Sequence, residues 1–371
     1  MQWPKQTLWG VALLLLGLNP ACASTSAPNV VVILTDDHGW ADLGCQGVRQ
    51  DIRTPELDAL AAEGVRCTAG YVTAPMCVPS RAGLLTGRYQ QRFGLDVNPE
   101  GPLPEGEVTM AERLRAAGWR TGMVGKWHLE PNRQTRAWNE GAGQGVGTEE
   151  QFARFGPGGQ GFTEFFCGGR SSYRATFDGL GKTFEKPRTV VQDGDRIAVQ
   201  TRAAVDFIRR NGRAPFFLYL AYFAPHTPLE ATPDQLAATP ADLPRRRRHA
   251  LAMLKAVDEG VGQVRAALRQ VGAADHTLIV FVSDNGAPLA RTMPDDPIEL
   301  RMDDSGWDGS RNDPFIGEKG MLTEGGIRVP MIWHWPGRLP AGRVHKEPVS
   351  TLDIVPTALA AAGLPRDLIL D

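Results

Sequence analysis

The stretch Asn29 to Asp37, NVVVILTDD, decides the architecture. Its run NVVVIL is continuous and β-branched, without the polar alternation of a half-exposed strand, so it predicts a strand buried on both faces. Strands of that kind belong to a mainly parallel sheet covered by helices on both sides. Asp36 and Asp37 follow at the carboxyl end, where an open α/β sheet presents its ligand crevice. Two adjacent carboxylates there repel each other unless a cation is present, although a plain strand-end turn is also rich in Asp and Asn.

The same pattern recurs outward from this strand. Arg120 to Val124, Pro215 to Tyr222 (PFFLYLAY) and Thr277 to Val282 (TLIVFV) read as further buried strands. Arg248 to Val271 has helical spacing of Leu251, Leu254, Val257, Val261, Val264 and Leu268. Thr54-Pro55 predicts a helix through Ala62, with Thr54 as its cap and proline at the first position. Thr109 and Glu112 form a capping-box pattern, and Gly118 ends that helix. Gly141 to Gly161 reads as an irregular, solvent-exposed insertion, and Arg245 to Arg248 as a solvated helix start rather than a binding patch. No solenoid-type repeat interrupts this alternation.

The chain has 371 residues, within reach of one large α/β domain, and its hydrophobic fraction of 42% permits a sizeable core. A net charge of −2 excludes the basic excess of a nucleic-acid partner. At the N-terminus, Lys5, the apolar run Leu8 to Leu18 and Ala21-Cys22-Ala23 form an export-signal pattern. The expected organisation is a signal peptide over 1–23 and one catalytic domain over 24–371, in a periplasmic or secreted protein. The apolar run is shorter than the about twenty residues a membrane span needs. Acylation of Cys22 is the less favoured alternative, because Leu18 sits one place too far upstream. Once Cys22 is removed and Cys77 set aside, Cys45, Cys67 and Cys167 allow at most one disulfide.

Asp284 and Asn285 end the strand TLIVFVSDN as Asp36 and Asp37 end the first. Together the pairs supply three carboxylates and an amide oxygen, hard ligands suited to Ca²⁺ or Mg²⁺ rather than zinc. Cys77-Val78-Pro79-Ser80-Arg81 places a cysteine at the start of a short helix, whose free amides favour an anion, with Arg81 as a forked cation. Lys126 and His128 follow the strand Arg120 to Val124 and alternate, so that strand geometry would put them on one side. His226 follows PFFLYLAY between Pro225 and Pro228, and Lys319 lies in a glycine-flanked turn.

Cys77-x-Pro-Ser-Arg81, followed by Thr86-Gly87-Arg88, resembles the signature of the formylglycine-dependent sulfatases, in the alkaline phosphatase superfamily. Thr35-Asp36-Asp37, Gly125-Lys126-Trp127-His128-Leu129, Ala224-Pro225-His226-Thr227-Pro228, Ser283-Asp284-Asn285-Gly286 and Gly317-Glu318-Lys319-Gly320 match further blocks in family order, as do EGGIRVP (324–330) and Trp335-Pro336-Gly337. The resemblance runs from Asn29 to about Leu364. It implies that Cys77 is oxidised to Cα-formylglycine by a generating enzyme. Asp36, Asp37, Asp284, Asn285 and the modified Cys77 would hold Ca²⁺ or Mg²⁺. Arg81 and Lys126 would hold the formylglycine hydrate, and Lys126, His226 and Lys319 would contact the sulfate. His226 or Lys319 would protonate the leaving oxygen, and His128 would be the base of the second step. The expected substrate is an organic sulfate ester, aryl or carbohydrate, with a sulfated glycan suggested by export.

Three positions depart from the family pattern: Ile316 in place of a frequent arginine, Glu318 in place of a glycine, and Glu130 in place of a glycine. Family members usually continue past STLDIVPTALAAAGLP (350–365) into a small C-terminal subdomain, which this chain is expected to lack or carry truncated. Two other functions compete. One is hydrolysis of a phosphorus ester on the same framework; the other is a non-catalytic protein that binds sulfated glycans.

Overall fold

The computed structural model describes residues 27–131, 148–169, 171–289, 309–365 and 369–371. The export-signal region lies outside them, as does most of the first half of the glycine-rich insertion. Eleven strands among the described residues form one sheet. The four runs read as strands from the sequence are its centre: β1 (Asn29–Asp36), β3 (Arg120–Gly125), β7 (Phe216–Pro225) and β8 (Thr277–Ser283). With β4 (Glu164–Gly168) they lie in the order β8-β1-β7-β3-β4, every neighbouring pair parallel. Outside this core the sheet turns antiparallel, through β5 (Ser172–Phe177) and β6 (Thr183–Val191) on one flank. On the other flank β9 (Arg328–His334) pairs antiparallel with both β8 and β2 (Val65–Tyr71). The short β10 (Arg343–His345) and β11 (Val349–Ser350) pair with β2.

The continuous apolar runs follow from burial on two faces. Val30, Val32 and Leu34 of β1 join one core, while Val31 and Ile33 join the other. The same period-two split sends Phe217, Tyr219 and Ala221 of β7 one way and Phe216, Leu218 and Leu220 the other. Helices α2 (Cys77–Thr86), α3 (Met110–Ala116) and α9 (Ile354–Ala361) cover the first face. Helices α1 (Pro55–Ala62), α5 (Arg196–Asn211) and α7 (Arg245–Gln270) cover the second. The result is a three-layer α/β/α sandwich, as the sequence implies.

Local readings fare unevenly. The Thr109–Glu112 box is present, with the Glu112 amide donating to Thr109 Oγ1 at 3.2 Å and the Thr109 amide to Glu112 Oε2 at 2.8 Å. Thr54 precedes α1 but does not cap it: its hydroxyl donates to Asp58 Oδ1 (3.0 Å) and accepts from the Gly44 amide. The amides of Glu56 and Leu57 donate instead to Asp258, a buried carboxylate of α7. Within the glycine-rich insertion, the described part holds a helix, α4 (Glu149–Phe155), its amide at Gln151 capped by Thr148. The four described cysteines, Cys45, Cys67, Cys77 and Cys167, are free thiols. No helix among the described residues is long and apolar enough to cross a membrane.

The arginine run departs most from its reading as a solvated face. Arg246 and Arg247 are buried. Arg247 forks onto Asp42 (2.7 and 2.9 Å) and onto Asp51 (2.9 Å for each pair) and also donates to the Gly309 carbonyl. A charge run read on a helical wheel shows nothing of the loop that closes over it. Here that loop brings two carboxylates, and Arg247 is affordable in the interior only because both are present.

Candidate active site

Four parallel strands deliver their carboxyl ends to one crevice. Asp36 ends β1, Lys126 follows β3, His226 follows β7, and Asp284 and Asn285 follow β8. Three turns are unusual. Asp37 and His128 adopt left-handed backbone (φ 63° and 64°), a strained choice for residues with side chains that recurs at functional sites. Gly125, at φ 102°, brings the chain so close to β7 that a Cβ would lie 1.9 Å from the Ala221 carbonyl. The strand therefore stops at Gly125, and the sequence argument that Lys126 and His128 alternate along it does not hold.

Cys77 is the first residue of α2, and every residue of that helix is buried. Its thiol donates to Asp36 Oδ1 at 3.4 Å and lies 3.8 Å from Lys126 Nζ. Asp36 Oδ2 accepts from Lys126 Nζ at 2.6 Å and lies 3.5 Å from Arg81. Arg81 forks onto Asp284 Oδ2 through Nε (2.9 Å) and Nη2 (2.8 Å), and its Nη1 donates to the Lys126 carbonyl. Asp37 accepts from Asn285 Nδ2 at 2.6 Å and from Lys319 Nζ at 3.0 Å, with His226 Nε2 3.6 Å away. Ligand atoms of Asp36, Asp37, Cys77 and His226 all lie within 4.8 Å of one another. These contacts join nine of the predicted site residues. His128, half-buried, is placed by chain proximity, two residues beyond Lys126.

The Sulfatase family profile matches residues 28–364. The chain belongs to the sulfatase family. It is 34% identical to N-acetylgalactosamine-6-sulfatase of Canis lupus familiaris, over 98% of this chain and 68% of that one. Steryl-sulfatase of Mus musculus is 33% identical over 97% of this chain and 66% of its own. The chain thus spans about two thirds of the length of these relatives. Among solved structures, Ps i-CgsB in complex with k-i-k-neocarrahexaose superposes with a TM-score of 0.75 at 33% identity, covering 93% of this chain and 74% of that one.

The electrostatics of this cluster set three carboxylates against Arg81, Lys126, Lys319 and His226 in a buried volume. Burial would raise Asp36, but Lys126, His226 and Arg81 hold it well below the usual carboxylate range. Asp284 goes the other way, raised to about 6 by burial and by Asp36. Burial alone would lower His226; the carboxylates of Asp36 and Asp37 instead raise it to about 9. Burial, then Asp284, push the Cys77 thiol well up, so the unmodified residue stays a thiol and is a poor nucleophile.

The residues fit a hard divalent cation. Asp36, Asp37, Asp284 and Asn285 are at most 1% exposed and offer only oxygen ligand atoms, the Asn285 amide nitrogen being a hydrogen-bond donor. Among the described residues Asn285 Oδ1 is buried without a hydrogen-bond partner, an acceptor left for a ligand such as a cation.

Sequence reasoning missed the residues that hold this constellation. Asn98 accepts from the Val78 amide at 3.0 Å and fixes the start of α2. Asn312 accepts from the Ala287 amide (2.9 Å) and donates to the Ala287 carbonyl (2.8 Å) and the Gly317 carbonyl (3.2 Å), joining the turn after β8 to the Lys319 turn. The Asp42 carboxylate held by Arg247 accepts from Ser310 Oγ, which in turn accepts from the Gly39 amide. None of these lies in a motif, and an isolated Asn or Asp in a loop carries no sequence signal of its own.

Proposed function

We propose that this sulfatase releases inorganic sulfate from an organic sulfate ester, using formylglycine made from Cys77 and a divalent cation, Ca²⁺ or Mg²⁺, at Asp36, Asp37, Asp284 and Asn285. The observation that carries the reading is Cys77 at the buried start of α2, its sulfur 3.4 Å from Asp36 and 3.8 Å from Lys126. A thiol held protonated there serves poorly as a nucleophile, whereas conversion removes that obstacle. Converted, residue 77 supplies a hydrated aldehyde, one hydroxyl to attack sulfur and a second whose deprotonation expels sulfate and restores the aldehyde. Bound, the cation supplies Lewis-acid stabilisation of negative charge.

The chain's own residues account for the rest. Lys126 and Lys319 carry fixed positive charge at the crevice, suited to the sulfuryl oxygens. Arg81 anchors Asp284 and the Lys126 carbonyl, which fixes both relative to residue 77. His226, raised to about 9 and hence protonated at neutral pH, donates its Nε2 proton to the leaving oxygen. His128 accepts the proton of the second hydroxyl.

The relatives named N-acetylgalactosamine-6-sulfatase and, in Homo sapiens, Arylsulfatase D, and the neighbour bound to a neocarrahexaose, support a carbohydrate or aryl sulfate as the substrate class. The leader over residues 1–23 is removed on export to the periplasm or the exterior. Maturation requires a formylglycine-generating enzyme. Peptide mass spectrometry of protein co-expressed with that enzyme tests the reading: residue 77 loses about 18 Da on conversion. The converted protein then turns over aryl sulfates faster than matched aryl phosphates in the presence of calcium. Well-folded, fully converted protein that hydrolyses neither, or prefers the phosphate, overturns it.

A further inference from the structure

The first residue of α5 is out of place by ordinary helix rules. Arg196 puts a cation at the positive end of the helix dipole, directly after Asp195, whose carboxylate caps the helix. It is also buried, its side chain 2% exposed. Violations of this kind mark positions held for a reason beyond the helix itself.

The guanidinium reaches away from its own helix into the loop that follows β7. Its Nη2 donates to the carbonyls of His226 (3.2 Å) and Pro228 (2.6 Å). Its Nε lies 3.5 Å from Glu230 of the same loop, and its plane stacks near the Phe223 ring at 5.2 Å. Asp195, just before it, caps α5 through the amides of Ile197 and Ala198 and accepts from Gln235 Nε2 at 2.6 Å. The start of α5 therefore grips the loop on both sides of His226.

The loop in turn fixes the imidazole. The His226 amide donates to the Phe223 carbonyl at 2.9 Å. Its Nδ1 lies 2.6 Å from the Thr227 carbonyl, which can only accept, so Nδ1 carries a proton and Nε2 is the nitrogen that faces Asp37. The carbonyls that Arg196 holds flank Thr227 on the chain, so a shift of either rotates the group that orients the ring.

We propose that Arg196 is a positioning residue for the departure of the alcohol, acting through the backbone of residues 226–228 to aim His226 Nε2 at the leaving oxygen. The inference rests on His226 as the proton donor to that oxygen. It adds to that reading a residue outside every motif, with a signature of its own. A poor leaving group needs the proton in the transition state, whereas an activated phenol leaves without it. Loss of aim therefore costs most where the leaving group is poorest, and a misplacement of about 1 Å is enough for roughly 10²-fold.

The test is the dependence of kcat/KM on leaving-group pKa over a series of substituted phenyl sulfates, for converted wild type, Arg196→Met, Arg196→Lys and His226→Ala. Expected is a shallow slope for wild type and a steep one for His226→Ala. Arg196→Met follows His226→Ala, losing about 10²-fold on phenols of high pKa and only a few-fold on nitrophenols. Arg196→Lys recovers part of the loss, since one ammonium replaces a two-carbonyl fork. If Arg196→Met does not fold, Arg196→Lys carries the test, and a wild-type slope in that variant overturns the proposal. A uniform loss across the series, as a merely structural role would give, overturns it as well. A His226→Ala slope equal to wild type defeats the role of His226 instead, and a wild type inert on the whole series defeats the sulfatase reading; both outcomes take the proposal down by routes distinct from its own failure.

Discussion

Replacing Lys319 with methionine is expected to move two affinities in opposite directions. Lys319 Nζ donates to Asp37 Oδ2 at 3.0 Å, with the two side chains 7% and 1% exposed. At that distance and an effective dielectric constant of about 20, the attraction is about 5.5 kcal/mol before desolvation is charged against it. Only part of this opposes a cation that competes for the same carboxylate. Asn285 stays on Asp37, and a displaced ammonium regains solvation or a substrate oxygen. A net competition of about 1–2 kcal/mol corresponds to roughly 5- to 30-fold in affinity. Lys319→Met is therefore expected to bind Ca²⁺ about 5- to 30-fold more tightly than wild type, while binding of free sulfate weakens through loss of a charged donor. Calorimetric titration of unconverted protein with each ion reads both effects without turnover. Calcium affinity unchanged or reduced in Lys319→Met would refute the reasoning, because it would mean that the ammonium and the cation do not share Asp37.

Two further outcomes concern stability. Arg247→Met leaves Asp42 buried with, among the described residues, the Ser310 hydroxyl and the Arg311 amide as the remaining donors to its carboxylate, and should cost about 3–5 kcal/mol in urea denaturation; a loss under about 1 kcal/mol contradicts the buried fork. Asp258 is raised from 3.8 to about 6 by burial first and by Glu56 and Asp58, against the amides of Leu57 and Glu56 that lower it. A raised carboxyl makes the folded state bind more protons than the unfolded one. Its contribution is thus fully present below about pH 4 and lost as pH rises through about 6. The difference in denaturation midpoint between wild type and Asp258→Asn should bend across that window, and a flat difference refutes the assignment.

The strands were legible because burial on two faces leaves no freedom in composition: NVVVIL, PFFLYLAY and TLIVFV admit no other reading at that length. The residues at their ends were legible for a related reason, since Asp36, His226 and Asp284 come within two residues of the last apolar position and the crevice lies there. The antiparallel flanks were not, because β2 (VRCTAGY) mixes buried and half-buried positions and carries no clean period. Nor was the burial of Arg247, which depends on carboxylates about two hundred residues earlier in the chain. Thr54 shows the same limit at short range: its sequence position suits a cap, but Asp258 reaches the helix amides across the fold.

What the motifs omit is the coupling between them. The Gly320 amide donates to the Pro75 carbonyl at 2.9 Å, two residues before Cys77, and the Lys319 amide approaches the Ala287 carbonyl at 3.3 Å. Asn312 grips Ala287 by both backbone groups and Gly317 by its carbonyl. A Cβ at Gly317, at φ 96°, would lie 1.7 Å from Thr323 Oγ1, so this turn cannot relax by taking another residue there. The Lys319 turn is thus tied to the start of α2 and to the turn carrying Asp284 and Asn285. All of these ties run through main chain or Asn312, and none through the Lys319 side chain. Substituting Lys319 therefore changes the charge beside Asp37 while leaving the frame in place, whereas Asn312→Ala frees two turns at once and should degrade cation and sulfate binding together. The contrast between opposite shifts in one variant and parallel losses in the other separates charge from geometry in this site.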